Sequence, residues 1–129
     1  MKIQKIISLL LLTFMFTGCT IEENRHNTYR QITMDEAMAL MEEKSEYIIL
    51  DVRRPDEFAE GHIPNAINIP NEIIGTSELS ELSNKQQLIL VYCRSGRRSK
   101  EASQKLVDLG YTNIVEFGGI LDWKGETVR

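Results

Sequence analysis

The segment QLILVYCRSGRRS, residues 87–99, joins the strongest strand pattern of the chain to a loop rich in arginine. Its first part, QLILVYC, is apolar on both faces, which is typical of a central strand in a parallel sheet. In sheets of that kind, ligands bind beyond the carboxyl ends of the strands. The pattern therefore places Cys93, the last residue of this strand, at the edge of the sheet where chemistry is expected.

The loop after Cys93 has a composition that stabilises negative charge. Three arginines and a glycine lie within the next five positions: Arg94, Gly96, Arg97 and Arg98. A helix is predicted over residues 99–109, and its N-terminal N–H groups would add partial positive charge. These groups favour a thiolate over a thiol and would also hold an oxyanion. We therefore predict a nucleophilic cysteine rather than a buried structural one beside a solvated basic run.

Helical and strand patterns alternate on both sides of this segment. The predicted helices are TMDEAMALMEEK (33–44), PDEFAEG (55–61) and TSELSELS (76–83), and the predicted strands are YIILDVR (47–53), AINIP (66–70) and NIVEF (113–117). Thr33 and Glu36 have the spacing of a capping box, which marks the start of the first helix. Strands separated by helices predict an α/β fold, with a mainly parallel central sheet and helices on both faces.

The first 18 residues predict an export signal. Two lysines precede an apolar stretch over residues 6–16, shorter than the roughly 20 residues of a membrane-spanning helix and typical of a secretory signal peptide. Residues 17–19, Thr-Gly-Cys, resemble the lipobox of bacterial lipoproteins, although Phe16 stands where leucine is usual. The resemblance implies cleavage before Cys19 and a diacylglycerol on its sulfur. Ordinary secretory cleavage, which would leave Cys19 as a free or disulfide-bonded thiol, is the alternative.

Three regions follow from this division: a signal peptide over 1–18, a lipid-anchored polar tether over 19–28 and one domain over 29–129. We expect the domain to lie outside the cytoplasm, anchored to a membrane by the lipid, or else to be secreted or periplasmic and soluble. The formal net charge of the whole chain is −4, and cleavage of the signal would make it more negative by removing two lysines. An acidic domain is a poor partner for nucleic acid or anionic membrane surfaces.

Three segments of the domain resemble the single-domain rhodaneses, which are thiosulfate sulfurtransferases. They are LDVRRPDEFAEGHIPNAINIP (50–70), CRSGRRS (93–99) and FGGILDWKG (117–125). One departure is Asn65, where the family usually has glycine, but asparagine tolerates a left-handed backbone. The resemblance implies a rhodanese-like fold and a transfer in two steps. Cys93 would take the sulfane sulfur of thiosulfate as a persulfide, release sulfite, and pass the sulfur to cyanide or a thiol.

The resemblance also implies roles for the loop. The substrate-binding residues would be Arg94, Ser95, Gly96, Arg97 and Arg98. Among these, the amides of 94–98 would hold the persulfide, and Arg94 and Arg98 would bind the sulfonate end of the donor. Arg97 is expected to point outward and to matter less than the other two arginines.

Three further residues match the family and are expected to support the site rather than react. Asp51 and Arg53 are predicted to form a hydrogen-bonded pair at the end of a strand. His62 is expected to satisfy buried backbone groups rather than act as a base. With one histidine and one thiol in the domain, we predict neither a metal site nor a cofactor, and we expect a monomer.

Two other functions use the same features. Cysteine phosphatases and arsenate reductases of this fold separate their cysteine and arginine by five residues, whereas four lie between Cys93 and Arg98. The shorter loop suits a slim sulfane sulfur better than a phosphoryl group. The second alternative is a carrier or binding module that passes persulfide sulfur to a membrane partner. Retention of the cysteine with its arginines argues against a purely structural role.

Overall fold

The computed structural model describes residues 28–129. The predicted signal peptide, Cys19 and all but the last residue of the predicted tether lie outside the described residues. The strands are β1 (Arg30–Gln31), β2 (Ile48–Asp51), β3 (Ile67–Asn68), β4 (Ile89–Cys93) and β5 (Ile114–Gly119). The helices are α1 (Met34–Glu43), α2 (Pro55–Glu60) and α3 (Arg97–Asp108), with 3₁₀ turns at Asn71–Ile73, Ser80–Leu82 and Ile120–Asp122.

The strands form one parallel sheet in the order β1-β5-β4-β2-β3. All five residues of β4, at the centre of the sheet, are buried. Its side chains alternate between two cores: Val91 packs with Leu106 of α3, and Leu90 packs on the other face with Ala37 of α1. The predicted α/β fold, with helices on both faces of a parallel sheet, is confirmed.

The first helix begins where the sequence predicted. The Thr33 hydroxyl accepts a hydrogen bond from the Glu36 amide at 3.1 Å, and the Glu36 carboxylate accepts one from the Thr33 amide at 3.5 Å. These two bonds pair N–H groups that the first turn of a helix leaves unsatisfied. The expectation for α2 is also met, since Pro55 occupies its first turn and Gly61 follows its last residue.

Two predicted helices differ in the structure. The helix predicted over 76–83 is only the 3₁₀ turn Ser80–Leu82. The two buried leucines of the segment 76–83, Leu79 and Leu82, are three positions apart, which matches the 3₁₀ repeat. The helix after the cysteine loop was predicted to begin at Ser99, but in the structure this helix, α3, begins at Arg97. Gly96 has a φ of 117° at its N-cap, so the chain enters the helix two residues earlier.

Candidate active site

Cys93 ends β4 and lies directly beneath the turn into α3. The residue is 1% exposed, and its Sγ atom accepts a hydrogen bond from the Gly96 amide at 3.0 Å. The thiol donates to the Ser99 hydroxyl, whose Oγ atom is 3.4 Å from Sγ. Gly96 is the N-cap of α3, so the helix begins directly after the amide that contacts the sulfur. The turn before α3 therefore points a backbone N–H group at Sγ.

The C-terminal segment FGGILDWKG forms the floor of this loop. A Cβ atom at Gly119 would overlap the Arg94 carbonyl and would lie 2.6 Å from the Ser95 nitrogen. The Arg94 carbonyl also accepts a hydrogen bond from the Leu121 amide at 3.3 Å. The glycine therefore lets the last strand touch the backbone of the cysteine loop, and no larger residue fits there without moving that backbone.

A polar cavity of about 310 Å³ opens above the loop. Its lining residues are Arg54, Glu72, Arg94, Ser95, Arg97 and Arg98. Four of these six carry positive charge and one carries negative charge. Cys93 itself is not among the lining residues, so the cavity offers a small anion a place beside the cysteine loop.

Arg98 is already held by a carboxylate. Its guanidinium donates two hydrogen bonds to Glu57 of α2, at 2.6 and 3.0 Å, and only 17% of its side chain is exposed. The hydrogen bond from Arg98 lowers the pKa of Glu57 despite partial burial. Glu57 in turn raises the pKa of Arg98, and the charge of Cys93 adds to that effect. The residue therefore ties α3 to α2 at the rim of the site.

The other two loop arginines differ from Arg98 and from each other. Arg97 points outward, as expected: it is 75% exposed and bonds Glu101 on its own helix at 2.9 Å. Arg94 is exposed and forms no ion pair within residues 28–129. Of the two arginines predicted to bind a donor, Arg94 has its guanidinium available, whereas that of Arg98 is engaged by Glu57.

The structure places Asp51 and Arg53 in a buried pair at the end of β2. The Arg53 Nη2 atom donates to Asp51 Oδ2 at 2.7 Å and to the Gly61 carbonyl at 2.7 Å, and the Arg53 amide donates to Asp51 Oδ1 at 2.9 Å. Tyr92 lies beside them, with the Arg53 guanidinium 5.8 Å from its ring centre. Burial raises the pKa of the Tyr92 phenol, and the charge of Asp51 adds to the shift. This cluster fixes the chain after β2.

His62 lies in a structural position. Its ring stacks on Phe58 with 3.6 Å between ring centres, and Nδ1 is 2.9 Å from the Phe58 carbonyl. Its backbone pairs with Val128 through two hydrogen bonds of 2.9 Å. No hydrogen bond links His62 to Cys93 among the described residues, so the structure does not bring it into the reactive group.

Three residues of the site were not singled out from the sequence: Glu57, Ser99 and Glu116. The Ser99 hydroxyl donates to a Glu116 carboxylate oxygen at 2.6 Å, and the Gly118 amide donates to the same oxygen at 2.8 Å. One signal was present in the sequence, because Glu116 is a charged residue within the otherwise apolar run IVEF (114–117). A buried charge requires hydrogen-bond partners, and the tertiary structure determines which residues provide them.

Residues 28–129 lack two kinds of feature. No group of three or more histidine, cysteine, aspartate or glutamate residues is arranged to hold a metal ion in this part of the chain. None of the helices described is both long and apolar enough to cross a membrane.

The family model for the rhodanese-like domain matches residues 33–126, and the chain belongs to this family. Thiosulfate sulfurtransferase PspE of Escherichia coli is 34% identical over 73 residues, which cover 57% of this chain and 70% of PspE. Thiosulfate sulfurtransferase GlpE of Coxiella burnetii is 36% identical over 97 residues, covering 74% of this chain and 88% of GlpE. Among solved structures, a rhodanese-related protein from Thermoplasma volcanium matches with a TM-score of 0.65 and 31% identity, covering 78% of this chain and 98% of that one.

Proposed function

We propose that this protein moves the sulfane sulfur of thiosulfate, or of a related donor, to cyanide or a thiol through a persulfide on Cys93. The observation that carries the proposal is the hydrogen bond of 3.0 Å from the Gly96 amide to Sγ, in a loop whose arginines line the polar cavity. The PspE and GlpE relatives, both named thiosulfate sulfurtransferases, support the donor.

In the first step, the Cys93 thiolate attacks the outer sulfur of thiosulfate. A new S–S bond forms at Sγ, the S–S bond of the donor breaks, and sulfite leaves with its electron pair. Arg94 binds the sulfonate end, because its guanidinium is exposed and makes no ion pair within the described range. The positive charge of the cavity attracts the dianion and stabilises the charge on departing sulfite.

In the second step, the acceptor attacks the outer sulfur of the Cys93 persulfide. The electron pair of that S–S bond returns to Sγ, and the acceptor leaves as thiocyanate or as a new persulfide. The Gly96 amide and the first turn of α3 stabilise the negative charge on sulfur, both in the Cys93 thiolate and in the Cys93 persulfide. The loop is narrow, with four residues between Cys93 and Arg98. A single sulfur atom therefore fits its floor better than a tetrahedral phosphoryl group.

The test is thiosulfate:cyanide sulfurtransferase activity of the full chain, read as thiocyanate. Cys93→Ser should abolish turnover, while Cys19→Ala, which removes the other cysteine of the chain, should leave it unchanged. No thiocyanate from a folded, reduced wild type would overturn the thiosulfate assignment. Sulfur uptake from a protein persulfide would then identify a carrier, and hydrolysis of an aryl phosphate would identify a phosphatase.

We also propose that a lipid on Cys19 anchors the domain to a membrane outside the cytoplasm. The proposal rests on the short apolar segment over residues 6–16 and on the Thr-Gly-Cys sequence that follows. Expression in a bacterium with a fatty-acid probe should label the wild type and Cys93→Ser but not Cys19→Ala. Labelling that persists in Cys19→Ala would contradict the anchor.

A further inference from the structure

A continuous chain of hydrogen bonds leads from the reactive sulfur into the interior. The Cys93 thiol is 3.4 Å from Ser99 Oγ, and Ser99 Oγ is 2.6 Å from a Glu116 carboxylate oxygen. Ser99 is fully buried and Glu116 is 3% exposed. The transfer described above uses neither of these side chains, although both lie within two hydrogen bonds of Cys93.

Glu116 is an unusual occupant of this position. A carboxylate in the interior is costly unless it is paired, yet Glu116 forms no ion pair within residues 28–129. From the part of the chain that the structure describes, it receives only neutral donors, the Ser99 hydroxyl and the Gly118 amide. No cationic side chain of the described range therefore competes with Ser99 for the Glu116 carboxylate.

On the same side of the sheet, the described residues include a buried tyrosine, Tyr111, whose hydroxyl donates to the Leu82 carbonyl at 2.6 Å rather than to Glu116. Cys93 projects from β4 on that side, and Tyr29 lies just before β1, the strand that pairs with β5. The residues that α3 buries beside them, Ser99 and Ser103, are neutral, and α1 packs on the opposite face. Cys93 is the only ionisable side chain in the described range that hydrogen bonds connect to Glu116.

We propose that Glu116 accepts the proton of the Cys93 thiol through Ser99 and returns it at the end of the cycle. The S–H bond breaks with its electron pair left on Sγ; its proton passes to Ser99 Oγ, and the Ser99 hydroxyl proton passes to the Glu116 carboxylate. The thiolate then attacks the sulfur donor. After the acceptor removes the sulfur, the thiolate recovers the proton by the same route. This proposal rests on the proposed sulfur transfer and adds a proton relay to it. In the relay, Ser99 touches the reacting sulfur atom and Glu116 acts through Ser99.

The Glu116→Gln variant separates this role from a purely electrostatic one, because the two roles predict opposite changes in the reaction rate of Cys93. Glutamine keeps an oxygen that accepts from Ser99 and Gly118, but it cannot take up the proton. If Glu116 acts only as a nearby negative charge, its removal favours the thiolate and speeds the reaction of Cys93. If Glu116 is the proton acceptor, its removal slows that reaction wherever solvent cannot take the proton instead.

The experiment measures alkylation of Cys93 by iodoacetamide across pH in the full chain, read from the Cys93 peptide by mass spectrometry. We expect Glu116→Gln and Ser99→Ala to react at least about tenfold more slowly than wild type near pH 6, a modest loss for general-base catalysis. The difference should shrink toward alkaline pH, where hydroxide removes the proton directly. Ser103→Ala is the matched control: Ser103 is buried one turn further along α3, and its hydroxyl has no hydrogen-bond partner.

An unchanged or faster reaction of Glu116→Gln near pH 6 would overturn the proposal, as would equal losses in Ser99→Ala and Ser103→Ala. If Glu116→Gln does not fold, the comparison of Ser99→Ala with Ser103→Ala decides the question. Sulfite released in one turnover with thiosulfate is measured on the same samples. If wild type is alkylated normally but releases no sulfite, the proposed function is refuted. The alkylation rates of the variants still test the relay in that case.

Discussion

Replacing Gly119 with alanine should inactivate the site without removing any polar or charged group. Gly119 has an ordinary extended backbone, φ −136° and ψ 156°, so alanine introduces no torsional strain there. Its methyl group would overlap the Arg94 carbonyl and lie 2.6 Å from the Ser95 nitrogen. Because atoms in contact need about 3.5 Å or more, the loop must retreat by on the order of 1 Å. Such a displacement moves the Gly96 amide away from Sγ.

The expected loss follows from that movement. A misplacement of about 1 Å at a catalytic group lowers the rate roughly 100-fold, which corresponds to about 2.7 kcal/mol of transition-state stabilisation. Overpacking should also reduce the free energy of unfolding by about 1–3 kcal/mol. The assay is kcat/KM for thiocyanate formation, with a thermal melt by circular dichroism. Gly75→Ala is the control: Gly75 has a φ of 96° and open space around its Cβ position, so alanine should lower stability by about 1–2 kcal/mol but leave activity intact. Activity of Gly119→Ala within threefold of wild type would refute the argument.

Three further changes test other parts of the site. Because Arg98 lowers the pKa of Glu57 below its ordinary 4.5, the pair stabilises the fold above that pH and loses its effect as pH falls through the lowered value. At neutral pH, the free energy of unfolding of Glu57→Gln should therefore be about 1 kcal/mol lower than that of wild type. In urea titrations this difference should disappear in acid, and a difference that stays constant with pH would exclude the pair as its cause. Arg94→Ala should raise KM for thiosulfate about tenfold, as expected for a lost charge-assisted hydrogen bond, whereas Arg97→Ala should not; equal effects in steady-state assays would contradict the assignment. Leu106→Ala, at a fully buried core position, should lower the free energy of unfolding by about 2–5 kcal/mol in urea titrations, and a loss below 1 kcal/mol would count against the core described.

Local patterns in the sequence were enough to predict the layers of the fold. The two-sided apolar run of β4 and the capping box at Thr33 each depend on residues close together in the chain. The helix predicted over 76–83 was wrong because serine and glutamate spacing resembles a helical surface, while only Leu79 and Leu82 are buried there. A segment that short gains little from helix formation by itself, so tertiary contacts decide its conformation.

The site could be predicted only in part, because its partners lie far apart in sequence. The cysteine and its arginines are contiguous, and the chemistry of the loop follows from their types alone. Glu57 reaches Arg98 across 41 positions, and Glu116 reaches Ser99 across 17. No periodicity encodes those pairs. The sequence therefore predicted two equivalent arginines, Arg94 and Arg98, whereas the fold assigns one to a carboxylate and leaves the other exposed.

The contacts beneath the loop bear directly on the choice between sulfur and phosphoryl chemistry. Gly119 touches the backbone at Arg94 from below, so the loop cannot sink to enlarge its cradle. Glu57 holds Arg98 at the rim, so the loop cannot open without breaking two hydrogen bonds of 2.6 and 3.0 Å. With four residues between Cys93 and Arg98 and both ends restrained, the backbone sets the width of the loop around Sγ. A site built in this way favours a small transferred group, and a single sulfur atom is smaller than a tetrahedral phosphoryl group.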